Sequence, residues 1–473
     1  MKREKKGGLS HRIGLYFLGN LSTRILSTLL VPLYAFKIAA GDLGDYDYAQ
    51  TLQSIIVPIL YITIWNAALR FMLMRKTEAE REDAAVITVR FTVGMSVLGA
   101  AVLYAIHALG IFPIPYVHAQ VLMIVTFGMA HTWLHMARGL EENSVFVTAS
   151  VIGTSVTLTL NFVLIFFGNR GLDALFTASI MSNVSAWLAV ELRLRILKKT
   201  RGRTFSRPLF KRMAIYCMPL IAGEISTWFI SGYGRMLVRT ELGAQMAGLY
   251  AFSNKFSNLV TLLGSVVTMA LTEEVFVRSR AENDEVRGYM SEKGSQVFCI
   301  FTAMLMLMAP CLAAFYRVIA STEYAASEGI TLWLVSYAVI MAMANNVDGC
   351  FCMSGKTQYS LITSLAGAGT MILLSNFLIE QWGMTGVAVA QLVGAAMMFL
   401  LRFVIAGKIV HFRLRFAVPV LQGGFFIGGA LACMRWGWPA IALSFLLALA
   451  VAAIANRKLI ESVMAVLKKR IHR

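Results

Sequence analysis

The sequence predicts an all-α polytopic membrane protein, and three observations support this prediction. Of its 473 residues, 58% are hydrophobic and only 14% are charged, whereas soluble domains contain about 25% charged residues. Its apolar runs are long enough to cross a bilayer, which takes about 20 helical residues. Its basic residues collect between alternate pairs of these runs, which is the charge pattern of a chain that crosses the membrane repeatedly.

The apolar runs predict about fourteen transmembrane helices, each close to the length that spans the hydrocarbon region. We group the spans into two six-helix lobes and two further C-terminal helices. The first lobe contains spans at 13–34, 48–71, 84–109, 116–137, 145–167 and 175–197. The second contains spans at 214–235, 249–271, 297–316, 330–350, 359–379 and 387–407, and the last two spans are 418–434 and 440–455.

The loop charges predict the orientation of the chain. With the N-terminus in the cytoplasm, most of the 43 Lys and Arg residues fall in cytoplasmic loops and in the C-terminal tail, as the positive-inside rule requires. We therefore predict a multi-pass protein of the cell membrane with both termini cytoplasmic. This rule also accounts for the net charge of +18, so we expect no nucleic-acid partner.

A basic stretch between the sixth and seventh spans predicts the domain organisation. The predicted divisions are an N-lobe at 1–200 with helices 1–6, a basic cytoplasmic linker at 201–212, a C-lobe at 213–410 with helices 7–12, and a final segment at 411–473 with helices 13–14 and a basic cytoplasmic tail.

Weak internal similarity indicates that the two lobes are parallel repeats. GDYDYAQ, from Gly44, resembles GLYAFSNK, from Gly248, and GLDALFTAS, from Gly171, resembles GMTGVAVAQ, from Gly383. The matching pieces occur in the same order in both lobes. Folds built in this way place the substrate path between the repeats.

Two cations inside the apolar spans predict a polar cavity. Arg24 lies near the middle of the first span and shares a helix side with Asn20, and Lys255 lies in the outer half of the eighth span. Charges at such depths are costly in lipid and usually face a watery cavity or a partner. For Lys255, extension of the side chain to the membrane surface is the competing interpretation.

Further polar residues in the spans extend the candidate site. We predict that Arg70, Arg235, Gln53 and Asn66 line the same cavity, although Arg70 also fits an interfacial position. Glu224 and Asp348 are the chief carboxylates within the spans. Glu224 is interpreted either as an ion-coupling site or as the partner of a cation. Asp348 is interpreted either as an ion-coupling site or as a helix cap or gate contact.

The enzyme-like signals in the sequence are incomplete. His131 and His135 are four residues apart, but Thr132 occupies the position of the catalytic glutamate of the H-E-x-x-H motif. SGKT, from Ser354, lacks the glycine spacing and the strand context of a phosphate-binding loop. We therefore expect no enzyme activity, no cofactor and no metal site.

Several segments together resemble the polysaccharide transporters, or Wzx-type lipid-linked oligosaccharide flippases, of the MOP superfamily, which also contains the MATE transporters. The similar segments are VPLYAFKIAAGDLGDYDYAQTLQSIIVPIL, CMPLIAGEISTWFISGYGRMLVRTELGAQMAGLYAFSNKFSNLV, SGKTQYSLITSLAGAG and GMTGVAVAQ. In this resemblance, Arg24 and Lys255 match cations of the first and eighth helices. Arg235 matches the arginine of an Asp-Arg pair, but Gly234 replaces the aspartate.

The resemblance implies a flippase that moves undecaprenyl-diphosphate-linked oligosaccharide across the cytoplasmic membrane by alternating access, for the assembly of lipopolysaccharide, capsule or another surface polysaccharide. Its implied partners are the lipid-linked oligosaccharide, membrane lipids, a glycan polymerase and glycosyltransferases. Two alternatives stay open. One is an ion-coupled multidrug exporter of the same fold, and the other is a membrane-embedded glycan polymerase or acyltransferase.

Overall fold

The computed structural model describes residues 31–74, 78–112, 114–278, 283–353, 356, 358–410 and 417–457. Over these ranges the chain is helical and forms no β-strand, so the predicted all-α class is confirmed. Nine helices within the described part are long and apolar enough to cross a membrane, or ten if one bent pair counts as a span. The predicted first span lies mostly outside the described residues.

The structure divides into two compact units, Met1–Ala251 and Phe252–Arg473. The described part of the first unit contains α1 (Val31–Lys37), α2 (Ala40–Leu60), α3 (Ile64–Leu73), α4 (Glu78–Ala108), α5 (Val117–Gly139), α6 (Asn143–Asn161), α7 (Leu172–Leu194), α8 (Ile196–Thr200), α9 (Arg207–Ser231) and the beginning of α10 (Tyr233–Arg278). A π-helical turn, Phe162–Phe167, follows α6 directly.

The second unit begins within α10. It continues with α11 (Asn283–Val318), a 3-10 turn (Glu323–Ser327), α12 (Glu328–Met353), α13 (Gln358–Val410) and α14 (Ala417–Ala455). The predicted lobe and linker boundaries remain predictions, because the boundary between the compact units falls at a different place in the chain.

Two of the helical runs, α13 and α14, each contain two predicted spans, and α10 joins the end of the seventh predicted span to the eighth. A glycine with positive φ breaks each run, at Gly243 in α10, Gly383 in α13 and Gly437 in α14. In α13 the two halves pack together, since a Cβ on Gly367 would lie 2.9 Å from the carbonyl oxygen of Gly394. A single run of helix therefore contains an antiparallel pair, which explains why fewer uninterrupted helices than predicted spans are present.

The second predicted span is bent. α2 and α3 meet at 53°, and the residues between them include Ile62 and Thr63, both with positive φ. Pro58 lies just before this break, where its missing N–H leaves a helix carbonyl without its usual donor. Tyr61 is fully buried and its hydroxyl lies 2.9 Å from Oγ of Ser96 in α4. The bend is therefore held by packing and by a side-chain hydrogen bond.

One apolar cluster of the first unit joins α3, α5, α7 and the short helix α8. Met72, Trp133, Met136, Val190 and Ile196 are all buried within it. This cluster fixes the position of α8, which joins two successive membrane-spanning helices.

Candidate functional site

Two ion pairs connect the N-terminal turns of α2 with the beginning of α10. Asp45 Oδ1 lies 2.7 Å from both Nε and Nη2 of Arg239. Asp47 Oδ1 lies 3.4 Å from Nη1 of Arg235. We call these four residues the aspartate–arginine cluster. Its geometry follows from local spacing, because residues four apart lie on one face of a helix and both arginines therefore point the same way.

The carboxylates are the more buried members of the cluster. Only 9% of the Asp47 side chain and 14% of the Asp45 side chain are exposed, against 24% for Arg235 and 26% for Arg239. Partial burial reduces screening by water and strengthens each pair. Arg235 also donates from Nε to the carbonyl oxygen of Ser231 at 3.1 Å, which fixes its guanidinium.

Tyrosines complete the surroundings of the cluster. The hydroxyl of Tyr116, which precedes α5, donates to Oδ2 of Asp45 at 3.4 Å. Burial and then the Asp45 carboxylate raise the pKa of Tyr116, so its hydroxyl keeps the proton that it donates. The Arg239 guanidinium carbon lies 5.8 Å from the centre of the Tyr48 ring, within the range of a cation–π contact.

Close backbone contact accompanies the ion pairs. A Cβ on Gly44 of α2 would overlap the carbonyl oxygen of Ala244, and a Cβ on Gly248 would overlap that of Ala40. Glycine at both positions thus lets α2 and α10 approach to backbone contact. One part of the α2–α9 interface is held by Trp228, whose Nε1 donates to the carbonyl oxygen of Thr51 at 3.0 Å.

These contacts lie at one end of the first unit. Asp45 and Asp47 belong to the first two turns of α2, Tyr116 precedes α5, and the arginines follow the end of α9. The predicted topology places this end on the outer side of the membrane. The cluster can therefore hold three membrane-spanning elements together there.

A second polar centre lies in the second unit around Arg402 of α13, which is only 3% exposed. Its guanidinium donates to Thr363 Oγ1 at 3.1 Å, to the Ala344 carbonyl oxygen at 3.1 Å and to Ser364 Oγ at 2.9 Å. Asp348 Oδ1 lies 3.4 Å from Nη2. These contacts join α12 to both halves of α13.

Asp348 is thus the ion-pair partner of a buried arginine. Its predicted role in ion coupling stays a prediction, and the Arg402 charge beside it opposes the binding of another cation. Glu224, the other predicted coupling residue, is exposed on α9 and makes no ion pair with a described residue.

The predicted cavity residues occupy different surroundings. Arg235 belongs to the aspartate–arginine cluster. Arg70 is exposed in α3, with its guanidinium carbon 4.4 Å from the centre of the Tyr216 ring. Gln53 and Asn66 are half-buried, and Oε1 of Gln53 is buried without a hydrogen-bond partner among the described residues.

Lys255 is half-buried in the part of α10 that belongs to the second unit. Its helix neighbours Asn254 and Phe256 are buried. Arg24 and Asn20 lie outside the described residues. The proposed cavity therefore remains a prediction for all these side chains.

Metal binding has no support from the described residues, among which no group of three His, Cys, Asp or Glu could hold an ion. The rings of His131 and His135 are close, with centroids 4.4 Å apart. His131 also packs against Trp65 and Phe127. The histidine pair belongs to an aromatic cluster within the first unit.

Sequence reasoning missed most of the charged contacts. In the sequence, Asp45 and Asp47 are two acids just before the second predicted span, and Arg402 is an arginine within the predicted span 387–407. The aspartate absent at Gly234 made the ion pairing of Arg235 doubtful. The structure supplies the carboxylate from α2 instead, through Asp47.

Comparison with solved structures identifies the fold. A lipid II flippase, MurJ, in an inward closed conformation has a TM-score of 0.72 and 12% identity, and the match covers 94% of this chain and 99% of that one. An inward-facing multidrug resistance MATE transporter of the MOP superfamily has a TM-score of 0.58 and 14% identity, and the match covers 82% of this chain and 98% of that one. An outward-facing MATE transporter has a TM-score of 0.56, 15% identity and coverages of 85% and 94%.

No protein-family model matches the chain, and no curated protein sequence matches it. The chain shares its all-helical fold with these three structures, which confirms the predicted fold class. These structural relatives are a flippase and two transporters. With nine candidate spans among its described residues, the protein is a multi-pass membrane protein.

Proposed function

We propose that the protein is a flippase that moves undecaprenyl-diphosphate-linked oligosaccharide from the inner to the outer leaflet for surface polysaccharide assembly. The observation that supports this most is the fold likeness to a lipid II flippase over 94% of the chain. The likeness to the two MATE transporters described above covers 82% and 85% of this chain. We place the protein in the cell membrane with both termini cytoplasmic.

The charge of the candidate residues suits such a cargo. A diphosphate needs compensating cations in a low-dielectric path, and arginine offers it two parallel hydrogen bonds while lysine offers a point charge. We propose Arg24 and Lys255 as cavity cations for the diphosphate, with Arg70, Gln53 and Asn66 as further contacts. The lipid tail would stay in the hydrocarbon.

We assign the aspartate–arginine cluster to gating. Alternating access requires that one end of the path closes while the other opens. In the predicted topology, the cluster joins α2 of the N-lobe to the helices that begin the C-lobe, at the outer end. Separation of these helices would expose all four charges to water, which solvates them well. The ion pairs therefore favour the closed outer end without preventing its opening.

This assignment changes the expected role of Arg235. Its guanidinium is held by Asp47 and by the Ser231 carbonyl oxygen. We propose that it is free to contact cargo only after the outer end opens. Lys255 and Arg24 then remain the principal candidates for diphosphate binding.

The alternative function is an ion-coupled multidrug exporter, which the likeness to MATE transporters favours. Such an exporter would need carboxylates for cationic drugs. Among the predicted coupling residues, Asp348 is paired with Arg402 and Glu224 is exposed. The charge pattern thus favours an anionic cargo.

Cells that lack the gene test the proposal. The expected result is loss of surface polysaccharide and accumulation of lipid-linked oligosaccharide on the inner leaflet, both restored by the wild-type gene. Glycosyltransferases and a glycan polymerase are the expected partners of the pathway. Normal surface polysaccharide combined with increased sensitivity to cationic drugs would overturn the proposal and support the exporter.

A further inference from the structure

Eight exposed basic side chains lie close together in sequence around α8 and the start of α9. We call them the basic face, which consists of Arg193, Arg195, Lys198, Lys199, Arg201, Arg207, Lys211 and Arg212. We propose that the basic face docks the anionic headgroups of membrane phospholipids. This role is separate from the proposed cargo path and does not depend on the identity of the cargo.

The position of the basic face follows from chain connectivity. α7 and α9 are successive candidate spans, so the segment that joins them lies at one membrane surface whichever way the chain is oriented. Two leucines lie among or beside the cations, Leu192 with 75% and Leu197 with 38% of its surface exposed. Exposed apolar side chains next to cations are typical of segments that rest in a membrane interface.

The charges of the basic face are not neutralised within the described part of the chain, where none of the eight makes an ion pair. Glu191 is the only acid near them in sequence, and neutral donors occupy its carboxylate. Trp133 Nε1 donates to Oε2 at 2.8 Å, and the backbone N–H of Leu197 donates to Oε1 at 3.0 Å. The eight cations therefore remain available to an external anion.

The structure also holds the basic face in place. Ile196 and Thr200 of α8 are buried, 2% and 6% exposed, which turns Lys198 and Lys199 outwards. Beyond α8, Arg203 binds Glu82 and lies 3.8 Å from Asp83 in α4. Arg203, which is not part of the basic face, thus attaches the segment between α8 and α9 to two acids of α4.

A fixed array of cations suits a lipid surface better than a single phosphate site. Each Lys or Arg close to an anionic membrane adds to the attraction, and the contributions of several cations accumulate. A fixed array also loses less conformational freedom on binding than a mobile tail would. Phospholipid headgroups are present at the surface where the face already lies.

The test compares lipid retention by the full-length protein and by charge variants. Protein purified in neutral detergent is mixed with equal amounts of phosphatidylglycerol and phosphatidylcholine, and native mass spectrometry counts the retained molecules. The changed variant is Lys198→Gln/Lys199→Gln/Lys211→Gln. The matched control, Arg170→Gln/Lys356→Gln/Lys408→Gln, removes three exposed cations from separate places in the chain.

We expect the wild type and the control to prefer phosphatidylglycerol, and the basic-face variant to lose that preference by at least about fivefold. About 0.5 M salt should weaken the wild-type preference, since it screens exposed charges. A Lys198→Arg/Lys199→Arg/Lys211→Arg variant should keep the preference, which separates loss of charge from misfolding.

Equal phosphatidylglycerol preference in the wild type and the basic-face variant would overturn the proposal. A control variant that loses as much phosphatidylglycerol preference as the basic-face variant would also overturn it. If the variant keeps its lipid preference but loses an acidic protein that copurifies with the wild type, the face docks a protein and the lipid proposal is wrong. These readouts do not involve cargo movement, so their failure is distinct from failure of the flippase proposal.

Discussion

Asp47 of α2 and Arg235 of α10 form an ion pair in which the carboxylate is the more buried partner, with 9% of its side chain exposed against 24% for the arginine. A buried carboxylate is stable only while it has a partner or can reach water. The pair therefore stabilises the paired arrangement of α2 and α10, and under the proposed gating role the open arrangement would leave both charges hydrated. This property makes the pair suitable for a gate.

Removal of the Arg235 charge should destabilise the closed arrangement. We expect Arg235→Gln to lower the stability of the protein by about 2 kcal/mol, because Asp47 loses its charged partner. The double variant Asp47→Asn/Arg235→Gln should recover part of this loss, since two neutral amides can bond to each other. Thermal unfolding in detergent measures both effects. The single variant Asp47→Asn completes the comparison. If the stability loss of the double variant equals the sum of the losses in the two single variants, the pair is not coupled.

The contact between α2 and α10 should not tolerate an added methyl group. Gly44→Ala places its Cβ on the Ala244 carbonyl oxygen, and overpacking of this kind costs typically 1–3 kcal/mol. Gly41→Ala is the matched control, because its Cβ would meet only the Ala244 Cβ at 4.0 Å. Thermal unfolding of the two variants checks the prediction. Similar midpoints would mean that the two backbones do not touch as described.

Arg402 should be a determinant of stability in the second unit. Arg402→Leu leaves Asp348 and several polar groups of α12 and α13 without their donor, and breaking a buried ion pair costs about 3–5 kcal/mol. Because 25% of the Asp348 side chain is exposed, we expect the loss of stability to lie at the low end of this range. The control is Lys408→Leu at an exposed position of α13. Equal unfolding midpoints for both variants would contradict this account.

The cavity cations should be needed for export. Arg24→Ala and Lys255→Ala are each expected to stop export of surface polysaccharide while the protein remains in the membrane, because the diphosphate loses a compensating charge. Immunoblots of membranes and surface-glycan staining measure the two quantities. Normal export by both variants would reject the cavity hypothesis.

Glu224 tests ion coupling. If its carboxylate carries a coupling ion, Glu224→Gln should abolish the dependence of transport on the proton or sodium gradient. Transport is measured with and without an ionophore that collapses each gradient. An unchanged response to gradient collapse in the variant would exclude Glu224 from coupling.

The fold class was predictable because membrane spans are recognisable in a sequence as long apolar segments. Length, apolarity and loop charge together predicted an all-α polytopic chain, and the comparison with solved structures confirmed the fold. The breaks were harder to predict. Gly383 and Gly437 lie between predicted spans, whereas the bend at Ile62 and Thr63 lies inside one and uses residues that seldom adopt positive φ.

The charged contacts could not be predicted from one sequence, because they join residues far apart in the chain. Asp47 and Arg235 are separated by 188 residues, and neither residue indicates its partner through local spacing. The resemblance to a family also misled at this point, since Gly234 suggested a missing carboxylate. A carboxylate on another helix can serve the same arginine, and only the three-dimensional structure reveals it.

Flipping by the purified protein is the most direct test of the proposed function. The full chain is reconstituted in liposomes with a fluorescent undecaprenyl-diphosphate-linked oligosaccharide, and a membrane-impermeant quencher measures the fraction in the outer leaflet. We predict that wild-type protein speeds exchange between leaflets and that Lys255→Ala protein does not. Exchange no faster than in protein-free liposomes, together with transport of a cationic drug by the same preparation, would contradict the flippase account.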